Sequence, residues 1–359
     1  MTLARAAALA ACLLAGPLPL RAQLYVPNQD DATVSVIDPA TRRVLRTVDL
    51  RRYGMGSNAK PHHVQVEPDG SAWYVTLIGA GKVLKLDRRD RVLGSAAMEV
   101  PGLIALHPSR DLMFVARSMS AVNPPPRLAV IRRSDMALLD EVDLLFPRPH
   151  GVAVHPAGEV VYVASLGTNQ LASVGVDQGE VRLVDVPGMP HGLVQLAVSP
   201  SGGLLAATAE LTDSLLIFDL ATPAAPKLLR GLPMPDGPFE PAFTPDGTTI
   251  FVTALNANRV AAVDTRDWSV SVLPEHPGYG QPHGIALSSD GSLLFVGNRH
   301  QAGGVHDHAG GRPSAPGTVV AICVGSRSVD TVLSVGHYAA GLGLRPDGTG
   351  ASAAPRPCR

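Results

Sequence analysis

A turn of the form Pro-Asp-Gly, or a close variant, recurs along this chain at intervals in the forties. It stands at Pro68-Asp69-Gly70, Pro108-Ser109-Arg110, Pro156-Ala157-Gly158, Pro200-Ser201-Gly202, Pro245-Asp246-Gly247, Ser289-Asp290-Gly291 and Pro346-Asp347-Gly348. Successive turns are 40, 48, 44, 45, 44 and 57 residues apart. The strand after each turn repeats as well: AWYVT (72–76), LMFVA (112–116), VVYVA (160–164), LLAAT (204–208), IFVTA (250–254) and LLFVG (293–297). Alternating and β-branched residues suit a pleated, half-buried surface, and Pro, Gly and Asn punctuate it. A period of this length with about four short strands per unit is the signature of a β-propeller. Third strands such as VSVID (34–38), VLKLD (83–87), LLIFD (215–219) and VAAVD (260–264) end in Asp. That carboxylate accepts hydrogen bonds within the turn into the fourth strand.

The two ends of the repeat do not match. The stretch 24–28, LYVPN, reads as a second strand with no first strand before it, and the turn at 346–348 has no second strand after it. A strand near residues 340–345 laid beside the N-terminal three completes one blade from both ends and leaves no open edge between the first and last blades. The expectation is all-β: a seven-bladed β-propeller of four-stranded blades, closed by pairing the C-terminal strand with the N-terminal strands, and a single domain over residues 23–359.

Residues 1–22 read as a signal peptide. Arg5 precedes an apolar run over 6–15, and cleavage after about Ala22 fits the small-residue rule. The run is too short to span a bilayer. Leu9-Ala10-Ala11-Cys12 also fits a lipoprotein cleavage pattern, but the apolar run continues past Cys12, which favours simple export to the periplasm or medium. Thirty basic side chains against 31 acidic ones, with the Arg residues scattered, give no electrostatic case for nucleic acid. The chain is expected to be monomeric, with no membrane span. After cleavage Cys323 and Cys358 remain. In an oxidising compartment they can pair and tie down the tail; the alternative is one buried thiol and one free tail thiol.

The phrases PHGVAVHPAGEVVYVASLGTNQLASV (149–174), YVPNQDDATVSVIDPATRRVLRTVDL (25–50) and IFVTALNANRVAAVDTRDWSV (250–270) resemble the YVTN-type β-propeller repeat of exported bacterial and archaeal proteins. The resemblance covers about residues 24–348. Relatives in that superfamily include surface-layer proteins, lactonase-like enzymes and the propellers of haem d1 and nitrous oxide reductases. It therefore implies architecture and export, and little about chemistry.

Function is to be sought on the face that carries the start of each first strand and the loop between second and third strands. His62, His150, Phe239 and His283 occupy equivalent positions at the start of their first strands, with His63 and Glu240 following two of them. His191 and His337 lie a few residues upstream on their own lead-in loops. The long interval in the last blade is a loop, 299–316, that carries His300, His306, Asp307 and His308 among glycines. Imidazoles converging on one concave site suit Zn or Cu, with Glu240 or Asp307 supplying oxygen. A structural role stands beside this one: in Pro-His-Gly the Pro fixes the approach, the His bonds a neighbouring blade's backbone and the Gly permits close packing. His107 and His155 fall at the opposite ends of their strands and read as turn residues, and His276 reads as structural.

No GxSxG, CxxCH, HExxH or P-loop pattern is present. The reading that follows is an exported binding module with a His-lined channel mouth for a divalent metal or small ligand. The alternatives are a lactonase-like or metal-dependent lyase or hydrolase using a mouth His and Glu240, and an envelope protein-docking propeller using outer loops such as Asn123-Pro124-Pro125-Pro126.

Overall fold

The computed structural model describes residues 21–301, 315–345 and 358. They form seven four-stranded antiparallel sheets in a ring. Blade 1 is assembled from both ends of the chain: Gly343–Arg345 pairs with Gln23–Asn28, which is followed by Thr33–Asp38 and Arg43–Asp49. The pairing runs Tyr25 to Gly343, Leu24 to Leu344 and Gln23 to Arg345, with a further bridge from Asn28 to Ala339. The ring is closed as the unmatched ends require. Blades 2 to 7 begin with first strands Pro61–Val66, Pro101–Leu106, Pro149–Val154, Leu193–Val198, Pro238–Phe243 and Pro282–Leu287. Residues 1–20, where a signal peptide is expected, residues 302–314 with His306, Asp307 and His308, and the expected turn at 346–348 lie outside the described residues.

Seven apolar clusters hold the ring, one at each junction between neighbouring blades. Tyr25, Val34 and Val36 of blade 1 meet Val64 and Trp73 of blade 2, and Leu24 and Val26 on the other side of blade 1 meet Phe295 and Val319 of blade 7. Each sheet is apolar on both faces because both are covered. Where a third strand ends in Asp, that Asp caps its turn: Asp38 accepts from the N–H of Ala40 and Thr41, Asp87 from Arg89 and Arg91, Asp219 from Ala221 and Asp264 from Arg266. At the lower ends, His107 and His155 each donate through Nε2 to a carbonyl of the next blade, Gly158 at 2.9 Å and Gly202 at 3.1 Å, while Nδ1 accepts from their own turns. Cys323, in a third strand of blade 7, is disulfide-bonded to Cys358. The bond fastens the C-terminal tail to the blade beside the closure.

The upper ends of the first strands share a backbone device. In all seven blades the residue leading into the first strand has positive φ: Tyr338, Lys60, Val100, Arg148, Gly192, Gly237 and Gln281. Its carbonyl accepts from the N–H just past the second strand, as in Lys60 to Ile78 at 3.0 Å, Arg148 to Leu166 at 3.0 Å and Tyr338 to Gln29 at 3.0 Å. In blades 2 to 7 the strand then bulges, so that two residues oppose one on the second strand. His62–His63, His150–Gly151 and His283–Gly284 are such pairs. The glycines admit the next blade: a Cβ on Gly151 would lie 2.8 Å from the Val194 carbonyl oxygen, and one on Gly284 2.3 Å from that of Ala340.

Candidate functional site

Left-handed backbone is costly for residues with a Cβ, and most so for a β-branched one such as Val100. Five of the seven lead-in residues pay that cost, so backbone strain is built into the upper mouth. Beneath them the bulge residues are buried around the axis. His62 donates from Nδ1 to Gln29 Oε1 at 3.0 Å, across the junction of blades 2 and 1. The His283 ring packs against Phe239 at 4.4 Å between centroids, His62 at 5.5 Å and Tyr338 at 6.1 Å. Arg299 is fully buried, lies over the Tyr338 ring and donates to its hydroxyl at 2.9 Å.

The second bulge residue reaches the next blade. His63 Nδ1 accepts from the Ile104 N–H at 3.1 Å, and the Glu240 carboxylate accepts from the Ile285 N–H. Burial disfavours the charged form of each. His63 is pushed down to about 4, with the neighbouring His150 adding to the effect. His150 is also pushed down to about 4, mainly by burial, although the Arg117 carbonyl that receives its Nδ1–H at 2.9 Å works against this. Glu240 is pushed up to about 8 by burial, with its Oε2 sealed from solvent and unbonded. With Nδ1 of His150 donating, Nε2 is a bare acceptor, and it too is buried without a partner.

An eighth apolar cluster sits at the mouth and not between sheets: Met119, Val194, Phe239 and Leu255, with Leu166 against it. It joins blades 3, 5 and 6, with Leu166 from blade 4. Beside it lies a cavity of about 850 Å³ whose lining includes Gln29, Lys60, Ile78, Met119, Val122 and Arg148, with Met119 common to both. Lys60 and Arg148 hold equivalent lead-in positions on blades 2 and 4, two residues before His62 and His150. Arg148 is exposed, donates to the Met119 carbonyl at 3.1 Å and meets no carboxylate among the described residues.

The nine sequence-derived candidates therefore separate. His62 and His283 meet, with ring centroids 5.5 Å apart, while His150 and Glu240 hold bulge positions in blades 4 and 6. His191 is not: Nε2 donates to the Pro187 carbonyl at 3.0 Å and Nδ1 bonds Thr212 Oγ1 at 2.9 Å, which occupies both nitrogens. His337 pairs with Asp31 at 3.0 Å on the half-exposed shoulder of blade 1. His300 donates from Nε2 to Thr318 Oγ1 at 2.9 Å, since that hydroxyl gives its own proton to the Gly278 carbonyl. His306 and His308 are outside the described residues. Among the described residues no three His, Cys, Asp or Glu side chains converge in a way that holds a metal ion.

Sequence reasoning passed over Lys60, Arg148, Gln29 and Met119. A usable signal was present in the residue before the Pro-His that opens three of the first strands: Lys60, Arg148 and Gln281 are all long and polar.

No family model and no curated protein sequence matches the chain. Solved structures do. A periplasmic gluconolactonase from Pseudomonas aeruginosa superposes with a TM-score of 0.71 at 18% identity, over 90% of this chain and 99% of that one. A putative 6-phosphogluconolactonase from Bacteroides uniformis gives 0.67 at 13% identity, over 91% and 99%. Hydrazine synthase from Kuenenia stuttgartiensis gives 0.60 at 20% identity, over 77% and 96%. The likeness is one of fold. No helix among the described residues is long and apolar enough to cross a membrane.

Proposed function

We propose that this chain is an exported binding propeller whose site is the upper-face cavity over blades 1 to 4, and that its ligand is a small anion. The carrying observation is the convergence of Lys60 and Arg148, on equivalent left-handed positions, upon one cavity of about 850 Å³. Cavities of this size suit small molecules, and an Arg fork with a Lys point charge suits carboxylate or phosphate. Export is supported by the leader pattern in residues 1–22, by the Cys323–Cys358 disulfide and by the periplasmic neighbour. Titration calorimetry with gluconate and with inorganic phosphate tests the reading. The expected result is saturable one-to-one binding of at least one, weakened roughly tenfold by Arg148→Gln or Lys60→Met. Affinity unchanged in both variants would overturn it.

A lactone-hydrolase reading rests on the same cavity, because opening a lactone produces a carboxylate. It is favoured by the two gluconolactonase-type neighbours, and its candidate base is His150, two residues from Arg148, whose bare, neutral Nε2 is buried and does not line the cavity. Hydrolysis of glucono-δ-lactone above the spontaneous rate, lost in His150→Asn, is its expected outcome. A rate equal to the spontaneous one leaves the binding reading alone.

A further inference from the structure

The most exposed large apolar side chains are not scattered. Val122, Met189, Leu145 and Leu211 are 90%, 70%, 65% and 62% exposed, and all four lie on upper-face loops of blades 3 to 5. The less exposed ones belong to the outer fourth strands, such as Leu45, Leu93 and Leu139. Val122 stands on the cavity described above. Leu145 walls a second cavity of about 400 Å³, together with Pro124, Pro126, Phe146 and Pro147. Asn123 and Arg148 line both cavities, so the two are one continuous depression with a polar end and an apolar end.

The join is preorganised. Asn123, Leu145 and Arg148 have φ of 52°, 62° and 53°, a clustering of strained backbone that marks functional sites. A left-handed Leu is unfavourable, and here it holds an apolar side chain in water. The Leu144 N–H bonds the Pro126 carbonyl at 2.8 Å, which ties the two walls, and the Asp143 carboxylate is occupied by the Leu145 N–H at 3.0 Å.

We infer that this depression takes an amphiphilic carboxylate, with its head between Arg148 and Lys60 and an alkyl tail in the Pro124–Phe146 groove. The inference rests on the anion-binding reading of the larger cavity and extends it. The head follows from charge complementarity: Arg148 lines both the apolar groove and the larger cavity and meets no carboxylate among the described residues, and Lys60 lines the larger cavity beside it. The tail follows from the prolines. A proline has no N–H, so walls built on Pro124, Pro126 and Pro147 offer few donors to a peptide backbone. An alkyl chain asks for none.

Titration calorimetry with butyrate, decanoate and decanol, each below its micellar concentration, tests this. Each buried methylene is worth at most about fourfold in affinity, so decanoate is expected to bind roughly 50-fold or more tighter than butyrate. Leu145→Asn, which keeps a residue suited to left-handed backbone, is expected to abolish that chain-length dependence and leave butyrate unchanged. Arg148→Gln is expected to weaken decanoate and leave decanol unchanged. Equal binding of butyrate and decanoate overturns the amphiphile inference and leaves the anion cavity standing. Binding of neither anion overturns the amphiphile inference, and the cavity reading itself falls only if gluconate and inorganic phosphate also fail to bind. Decanol matching decanoate, with no effect of Arg148→Gln, would mark a non-specific apolar surface and overturn the inference.

Discussion

His150 donates from Nδ1 to the carbonyl of Arg117 at 2.9 Å, across the junction of blades 4 and 3. The same Arg117, itself buried, forms an ion pair with Glu141. His150 therefore serves the ring even where its Nε2 faces no partner, and a structural and a chemical role meet in one side chain. Truncation removes a buried ring and orphans a buried carbonyl. His150→Ala is expected to cost about 2–4 kcal/mol in urea denaturation, while Arg148→Gln, exposed two residues earlier, stays within about 0.5 kcal/mol.

Stability should depend on pH through the same layer. The folded state holds His63 and His150 neutral down to about 4, so their contribution is complete above the unfolded value and is lost as pH falls from about 6.5 towards 4. Glu240 is held protonated up to about 8. Its contribution is complete below the unfolded carboxylate range and is lost as pH rises towards 8. Thermal unfolding across pH is expected to show a maximum near 6.5 from these three groups. Glu240→Gln should remove the loss on the alkaline side and match the native protein near pH 5, whereas an unchanged alkaline limb would show that Glu240 ionises freely when folded.

The disulfide spans 35 residues and encloses the closing strand Gly343–Arg345. On the loop-entropy model such a bond is worth about 3–4 kcal/mol. Cys358→Ser is expected to lower the unfolding midpoint, and reductant to bring the native protein down to the same value with no effect on the variant. A variant as stable as the oxidised protein would mean that the strand pairing alone secures the ring.

Val100 is a β-branched residue with φ of 45°. Asn tolerates that conformation far better. Val100→Asn is expected to stabilise the protein by about 1 kcal/mol, read from the urea midpoint at constant slope. Destabilisation would mean that apolar contacts of the Val side chain outweigh its backbone strain.

The blades were legible because their pattern is local and repeated. Val160–Ser165 is a β-branched and aromatic run buried on both faces, Pro156-Ala157-Gly158 turns into it, and the same grammar recurs until the unmatched termini demand that Gly343–Arg345 pair with Gln23–Asn28. Equivalent starting positions grouped His62, His150 and His283, and each stands first in the bulge of its strand. What stayed hidden was long-range or conformational. Nothing local to His191 says that Thr212 and Pro187 will occupy both of its nitrogens. No residue type announces a left-handed Lys60, Val100 or Arg148, because the register of the ring, not the side chain, imposes it. The apolar plug of Met119, Val194 and Phe239 joins three blades and has no signature in any one repeat.

The location of a bound anion tests the central claim most directly. A crystal grown with 4-bromobenzoate, an aryl bromide that does not alkylate protein side chains and whose bromine scatters anomalously, reports the position of a carboxylate. The account predicts an anomalous peak in the upper-face cavity, with the carboxylate within hydrogen-bonding reach of Arg148 and Lys60. A peak confined to the opposite face, or to the blade 1 shoulder beside Asp31 and His337, would contradict it.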